Sequence, residues 1–276
     1  MAKKGFIPKG KWGLCISHDV DHLRHYWNLN LIKYWGVSFI ELVYLRRSFS
    51  SFLEAISNSF VGRFDSWDQT ELLASVNRKY GIPATFFFVA KKGRGVDYGV
   101  EEIKKALQKI KGFEVGTHGQ DFENIVGVKE EFGLMGKVLG KKPEGIRMHY
   151  LNWAPQTAGL IKKAGYIFDT TEFNEQLKQP YVMDNGLIEI PLHIMDTYLF
   201  SPLYTNFSLA GAKKHTLKLI AKAKHEGKIL HVLFHLRHLS TEFPRYRDYY
   251  LWLLELAKND KNCEKISCRQ IARKLK

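Results

Sequence analysis

The stretch Trp12-Gly13-Leu14-Cys15-Ile16-Ser17-His18-Asp19-Val20-Asp21-His22 decides how this chain is read. Its first half, Trp12 to Ser17, is mostly apolar and predicts a buried strand, and its second half places two carboxylates and two imidazoles where that strand stops. A polar cluster at the carboxyl end of a buried strand is where parallel α/β folds carry chemistry. Asp19 and Asp21 are two residues apart, so on a strand they face one side, and they repel each other unless a cation or an arginine sits with them. That pattern suits one carboxylate holding a metal while the other takes a proton. A solvated strand-end cluster is the competing reading of these residues alone.

Working outward, the same arrangement recurs. Residues 67–80 have helical spacing and end at Gly81, after which Pro83 starts the β-prone run ATFFFVA at 84–90. A Gly-rich loop at 93–99 leads into a helix at 101–111, and Phe113-Glu114-Val115-Gly116 reads as a strand ending at Thr117-His118. A helix near 128–139 and a strand near 144–148 follow, closing on Arg147-Met148-His149-Tyr150. Further on come a helix around 155–164, a strand at 166–169 ending in Asp169-Thr170-Thr171, and a strand at 187–191. A basic helix at 211–226 then feeds the apolar run 228–234, which stops at His235. Repeated βα units predict a parallel, closed or nearly closed sheet with helices outside, so the polar strand ends converge on one site.

Among those ends, His118 suits a metal ligand through an imidazole nitrogen, and His235 suits a proton donor. Arg147 can hold a strand-end carboxylate ionised, and Asp169 can orient a histidine. His22, His25, His231 and His238 are read as surface or supporting residues.

The 276 residues, 45% hydrophobic and 25% charged, suit a single α/β barrel rather than a disordered chain. The expected organisation is one domain over 1–276, with a core at about 12–240, an insertion at about 23–64, and a basic C-terminal helix and tail at about 244–276. With 42 Lys and Arg against 28 Asp and Glu, the net charge of +14 favours anionic partners. Three cysteines, none in a C-x-x-C pair, exclude a disulfide framework. The first residues lack the apolar run of a signal peptide, and no stretch is long and apolar enough to span a bilayer, so a soluble, cytoplasmic protein is expected.

The segment 23–64 carries ten aromatics and five Lys or Arg against two Glu. It reads as a helical cap at the barrel mouth, with peripheral contact to an anionic membrane as the sharper alternative. The loop Gly93-Arg94-Gly95-Val96-Asp97-Tyr98-Gly99 is one residue too long for a dinucleotide fingerprint. Serine-hydrolase, zincin and P-loop motifs are missing, and the dispersed basic residues carry no specific nucleic-acid motif.

Taken in order, Ser17-His18-Asp19-Val20-Asp21, the run 81–89, Glu114-Val115-Gly116-Thr117-His118, Gly145-Ile146-Arg147-Met148-His149-Tyr150, Asp169-Thr170-Thr171 and Leu233-Phe234-His235 resemble the polysaccharide deacetylase superfamily. This is the NodB-homology, or carbohydrate esterase family 4, group. The resemblance implies a distorted (β/α)7 barrel, here with a helical aromatic-rich insertion after the first strand. It also implies metal-dependent removal of an N-acyl group, usually acetyl, from an amino sugar or glycan. Carried over, Asp19 is the general base, Asp21 and His118 are metal ligands, and Arg147 holds the base. Tyr150 supplies a backbone N–H to the oxyanion, and Asp169 with His235 forms the general-acid pair.

The sequence departs from that pattern at Phe122, where the family carries a second metal-binding histidine, and at His149, where it carries proline. The third ligand then falls to His149 or Asp121, and His149 is favoured because it follows a strand end beside Arg147. The metal expected is zinc, with cobalt, nickel or manganese as alternatives. The substrate expected is an N-acylated amino sugar, free, nucleotide-linked or lipid-linked. Two other functions compete: a barrel that binds glycan without cleaving it, and an amidase acting on a non-sugar linear amide.

Overall fold

A computed structural model describes residues 6–23, 68–96 and 98–276, together with a few residues between 35 and 57. The central strand β1 (Trp12–Val20) pairs in parallel with β2 (Thr85–Phe88) on one side and β9 (Ile229–Leu233) on the other. From β2 the sheet continues in parallel through β3 (Glu114–Gly119), β4 (Gly145–Met148), β5 (Phe168–Asp169) and β7 (Ile188–Glu189). The short strand β6 (Tyr181–Val182) lies antiparallel on β7, and β8 (Ile194–Met195) lies parallel on β9.

The run from Ile188 to Met195 joins the two ends of this curled sheet. Just past β7 the Ile190 N–H donates to the Asp169 carbonyl at 2.9 Å, and just before β8 the His193 N–H donates to the His231 carbonyl at 2.9 Å. One run thus serves as the seventh stave between β5 and β9, which gives the distorted (β/α)7 barrel expected. Its short strands explain the distortion, because only two residues pair on each side.

Most crossovers are helical: α1 (Thr70–Tyr80), α2 (Val100–Lys109), α3 (Ile125–Leu139), α4 (Thr157–Ala164), the short α5 (Asp196–Phe200), α6 (Leu209–Glu226) and α7 (Pro244–Asn259). Strand alternation divides the apolar residues into two sets. Phe86 and Phe88 face the main outer core with Leu73, Ile103 and Tyr250, whereas Phe87 joins Cys15, Phe168 and Ile229 in a second cluster. Burying each such phenylalanine contributes roughly 1.5–3 kcal/mol.

Two boundaries differ from the sequence reading. β1 continues to Val20 rather than stopping at Ser17, because His18, Asp19 and Val20 take Phe86, Phe87 and Phe88 as register partners. The segment 244–276 is no tail: after α7 it forms β10 (Cys263–Lys265), which pairs in parallel with β1, and α8 (Cys268–Leu275), whose Ile271 and Ala272 are buried. The expected helical insertion over 23–64 lies largely outside the described residues.

Candidate active site

Every candidate residue lies on or just past a strand's carboxyl end. Asp19 is on β1, and Asp21 follows it; His118 is on β3, Arg147 on β4, and Asp169 on β5. His149 and Tyr150 open the 3-10 turn His149–Leu151 after β4, and His235 follows β9 by two residues.

Asp19 and Arg147 form a buried pair. The Arg147 Nη1–H donates to Asp19 Oδ1 at 2.7 Å, Nη2–H donates to Ser17 Oγ at 2.8 Å, and Nε–H donates to the Thr170 carbonyl at 3.2 Å. Its guanidinium lies 4.6 Å from the centre of the Phe87 ring. Both side chains are almost fully excluded from solvent, so the fork fixes the direction of the carboxylate as well as its charge. Neighbouring His18 plays a different part. Its Nδ1–H donates to the Phe234 carbonyl and its Nε2 accepts from Asn77, both at 2.9 Å, and burial pushes its pKa down to about 4.

Asp21, His118 and His149 converge. His118 Nε2 and His149 Nδ1 each lie 3.4 Å from Asp21 Oδ1 and 3.1 Å from one another. The far nitrogens are committed: His118 Nδ1–H donates to the Arg147 carbonyl at 3.0 Å, and His149 Nε2–H donates to the Arg94 carbonyl at 3.1 Å. Each neutral ring therefore turns an unprotonated nitrogen towards the same point as the carboxylate. Three such lone-pair donors repel, and Asp21 Oδ1 is buried with no hydrogen-bond partner. A cation resolves both problems. A triangle of these sides has its corners about 1.9 Å from a common centre, close to the roughly 2.0–2.2 Å of zinc–nitrogen and zinc–oxygen bonds, with the ion slightly out of plane. The residues present fit a divalent metal. Asp121, the other candidate third ligand, instead pairs with Lys91 at 3.3 Å, and Phe122 packs in the apolar cluster around Ile146 and Tyr166.

The histidine expected to give a proton has a different partner from the one inferred. His235 Nδ1–H donates to Asp196 Oδ1 at 2.6 Å, and its backbone N–H donates to Asp196 Oδ2 at 2.8 Å. His238 Nδ1–H donates to the same Oδ2 at 2.7 Å. Burial works against the charge on each group. His235 and His238 nevertheless hold Asp196 far below the usual carboxylate range, while Asp196 lifts His235 to about 9. Burial prevails at His238 and pushes it down to about 4.

Asp169 belongs elsewhere: it accepts from the Thr171 hydroxyl at 2.8 Å and the Thr171 N–H at 3.1 Å. Burial raises the pKa of Asp169, and burial together with Asp169 raises that of Glu189, so these two carboxyls share a proton below the site. Asp169 is thus not the partner of His235, because Asp196 already occupies that side of the ring. The available signal for Asp196 was the end of the apolar pair Ile194-Met195. His231 and His238, read as surface or supporting, are both buried and supporting; His25 lies outside the described residues.

Tyr150 and Leu151 are consecutive non-glycine residues in the left-handed region, with φ of 58° and 53°. Such conformations cost on the order of 1–3 kcal/mol each and gather at functional sites. Among the described residues the Tyr150 N–H has no hydrogen-bond partner.

The groups share one cavity of about 610 Å³. Asp19, Asp21, His118, His149 and His235 line one part, and Phe173, Tyr198, Leu203, Tyr204, Phe243 and Tyr246 form an aromatic wall. No described helix is long and apolar enough to cross a membrane.

No protein-family model matches the chain, and no curated protein matches it by sequence. Solved structures do match. A protein assigned as a polysaccharide deacetylase from Mycobacterium smegmatis aligns with a TM-score of 0.64 and 18% identity, over 98% of this chain and 93% of that one. Another so assigned, from Pseudomonas aeruginosa PAO1, aligns with a TM-score of 0.65 and 14% identity, over 96% and 91%. Puue allantoinase aligns with a TM-score of 0.64 and 16% identity, over 96% and 91%. The chain has the polysaccharide deacetylase fold, a (β/α)7 barrel that allantoinase shares.

Proposed function

We propose that this chain is a metal-dependent hydrolase that removes an N-acyl group, acetyl in the simplest case, from an amino sugar or glycan. One observation carries the reading: three lone-pair donors fit for a cation, an arginine-fixed carboxylate and an aspartate-held histidine all open into one cavity.

Asp21, His118 and His149 hold the divalent metal, and the two-nitrogen, one-oxygen set suits zinc, with cobalt, nickel or manganese as substitutes. When bound, the ion polarises an amide carbonyl and makes a water more acidic. Asp19 takes the proton of that water, and Arg147 keeps its carboxylate oriented. The Tyr150 N–H donates to the oxygen that gains charge. His235 is held by Asp196 through Nδ1 and offers its Nε2 proton to the departing amine, which leaves poorly as an anion. Asp196 thereby takes the part that the sequence resemblance gave to Asp169. The aromatic wall gives the apolar faces of a sugar ring a surface to lie on, and the +14 charge favours a phosphate-bearing form, nucleotide- or lipid-linked.

The presence of the whole proton-transfer set favours cleavage over binding alone. The barrel shared with allantoinase keeps non-sugar amides as the second reading. Zinc-loaded protein is tested for acetate release from N-acetylglucosamine oligomers and a nucleotide-linked N-acetylhexosamine, with allantoin and a linear amide alongside. Release from a sugar, lost in Asp19→Asn, supports the reading. Oligomer binding without release supports the inactive barrel, and turnover of the non-sugar amides alone supports the second reading.

A further inference from the structure

The third metal-ligand position raises its own structural question. His149 reaches the centre from the turn after β4, and a ligand on a turn needs something to hold its ring. That support is a tight turn on a different segment. Gly93 and Val96 exchange both backbone hydrogen bonds, at 3.0 and 2.9 Å, with Arg94 and Gly95 between them at φ of 48° and 88°. Two central residues with positive φ make this a type I′ hairpin turn, which glycine favours. The turn leaves the Arg94 carbonyl accepting from His149 Nε2 and, at 3.4 Å, from the Tyr150 hydroxyl.

Two side chains from the β3 end hold the turn. The buried Gln120 donates from Nε2 to the Gly93 carbonyl at 2.7 Å, and its own N–H donates to Glu131 Oε1 at 2.9 Å. The Arg94 guanidinium lies 5.6 Å from the centre of the Phe122 ring, within cation–π range. Phe122 has no atom that can bind a metal, yet it carries the residue whose carbonyl orients His149.

We propose that Gln120 and Phe122 are positioning residues for the metal centre: they fix the Gly93–Gly95 turn, the turn's Arg94 carbonyl fixes the His149 tautomer, and His149 Nδ1 is thereby presented as a ligand. The proposal rests on the metal-binding reading above and adds the route by which this chain supplies its third ligand. Gln120 touches no ligand ring itself, so its influence on the metal passes through the turn.

The test is cobalt affinity of the full chain, measured by competition with a chromophoric chelator, for the unaltered protein, Gln120→Leu, His149→Ala and the double variant. Removing a supporting partner of a metal-binding histidine typically weakens binding by 10–100-fold, and Gln120→Leu is expected to fall in that range. The double variant is expected to bind no more weakly than His149→Ala, because the two changes remove one and the same ligand. Gly95→Ala is the second variant. An added Cβ there would lie 3.3 Å from the Tyr150 hydroxyl at a φ that alanine rarely adopts, and it should lower affinity without removing any core side chain. Thermal unfolding of the metal-free proteins confirms that each variant folds. Unchanged affinity in both Gln120→Leu and Gly95→Ala overturns the proposal, as does a Gln120→Leu loss of equal size in the His149→Ala background. If the unaltered chain binds no cobalt, or Asp21→Ala binds it equally well, the metal reading itself is overturned along with the proposal.

Discussion

His235 Nδ1 lies 2.6 Å from Asp196 Oδ1, although 39 residues separate the two in sequence. That contact fixes the ring's tautomer and, against the effect of burial, keeps it protonated up to about pH 9, so Nε2 carries a proton across the neutral range.

Asp196→Asn removes the charge but keeps a side chain of the same shape. Turnover should fall by roughly 10²–10⁴, the usual contribution of a positioned acid. His235 must be protonated to act, so activity holds below its pKa and is lost as pH rises through it. With Asp196 neutralised that alkaline limb should move to lower pH. An unmoved limb in the pH–rate profile would show that another group supplies the proton.

Arg147→Met leaves the Asp19 carboxylate buried without its partner. Breaking a buried pair from one side costs about 3–5 kcal/mol, and urea unfolding should show a loss of that order. Arg147→Lys keeps the charge but cannot reach Asp19, Ser17 and the Thr170 carbonyl together, so it should also destabilise, by less. Equal stability of both variants with the unaltered chain would contradict the geometry of the pair.

Most of this site was legible because each of its parts ends an apolar run. The runs before Asp19, His118, Arg147 and His235 are long enough to read as strands, and polar residues at their ends converge once the sheet closes. Asp196 was missed for a physical reason. Its strand is two residues long, Ile194–Met195, and takes its stability from β9 rather than from its own composition. Asp169 misled for the converse reason: it ends a strand as the pattern requires, but its partners are Thr171 and Glu189. The C-terminal segment read as a tail because β10 is a short half-buried strand, Cys263–Lys265, whose pairing with β1 leaves no mark on local sequence.

Burial raises the Glu131 carboxyl to about 7, despite the Gln120 N–H that it accepts. Because the folded-state pKa lies above the ordinary value of 4.5, the folded chain binds more protons than the unfolded one between those limits. Stability from this group is full below pH 4.5 and lost as pH rises through about 7; a shift of that size is worth about 3 kcal/mol at most. Glu131→Gln keeps the Oε1 acceptor and removes the titration. Its stability relative to the unaltered chain should therefore improve from pH 5 to pH 8, as read by urea midpoints. A difference that does not change with pH would refute this.

Gly116 lies on β3 beneath the site, where an added Cβ would stand 2.5 Å from the Phe87 ring and 2.9 Å from the Gly145 carbonyl. Gly116→Ala should cost roughly 1–3 kcal/mol by overpacking and displace the ring on which Arg147 rests. Calorimetry gives the stability change, and full stability would mean that the barrel interior has more room than these distances allow.

The central claim is that Asp21, His118 and His149 together hold one divalent cation. Its most direct test is zinc content by elemental analysis after loading and exhaustive dialysis, for the unaltered chain and for Asp21→Asn, His118→Gln, His149→Gln and Asp121→Asn. The account predicts close to one zinc per chain in the unaltered protein and in Asp121→Asn, with zinc lost or strongly depleted in the other three. No zinc in the unaltered protein, or full retention in His149→Gln with loss in Asp121→Asn, would contradict it.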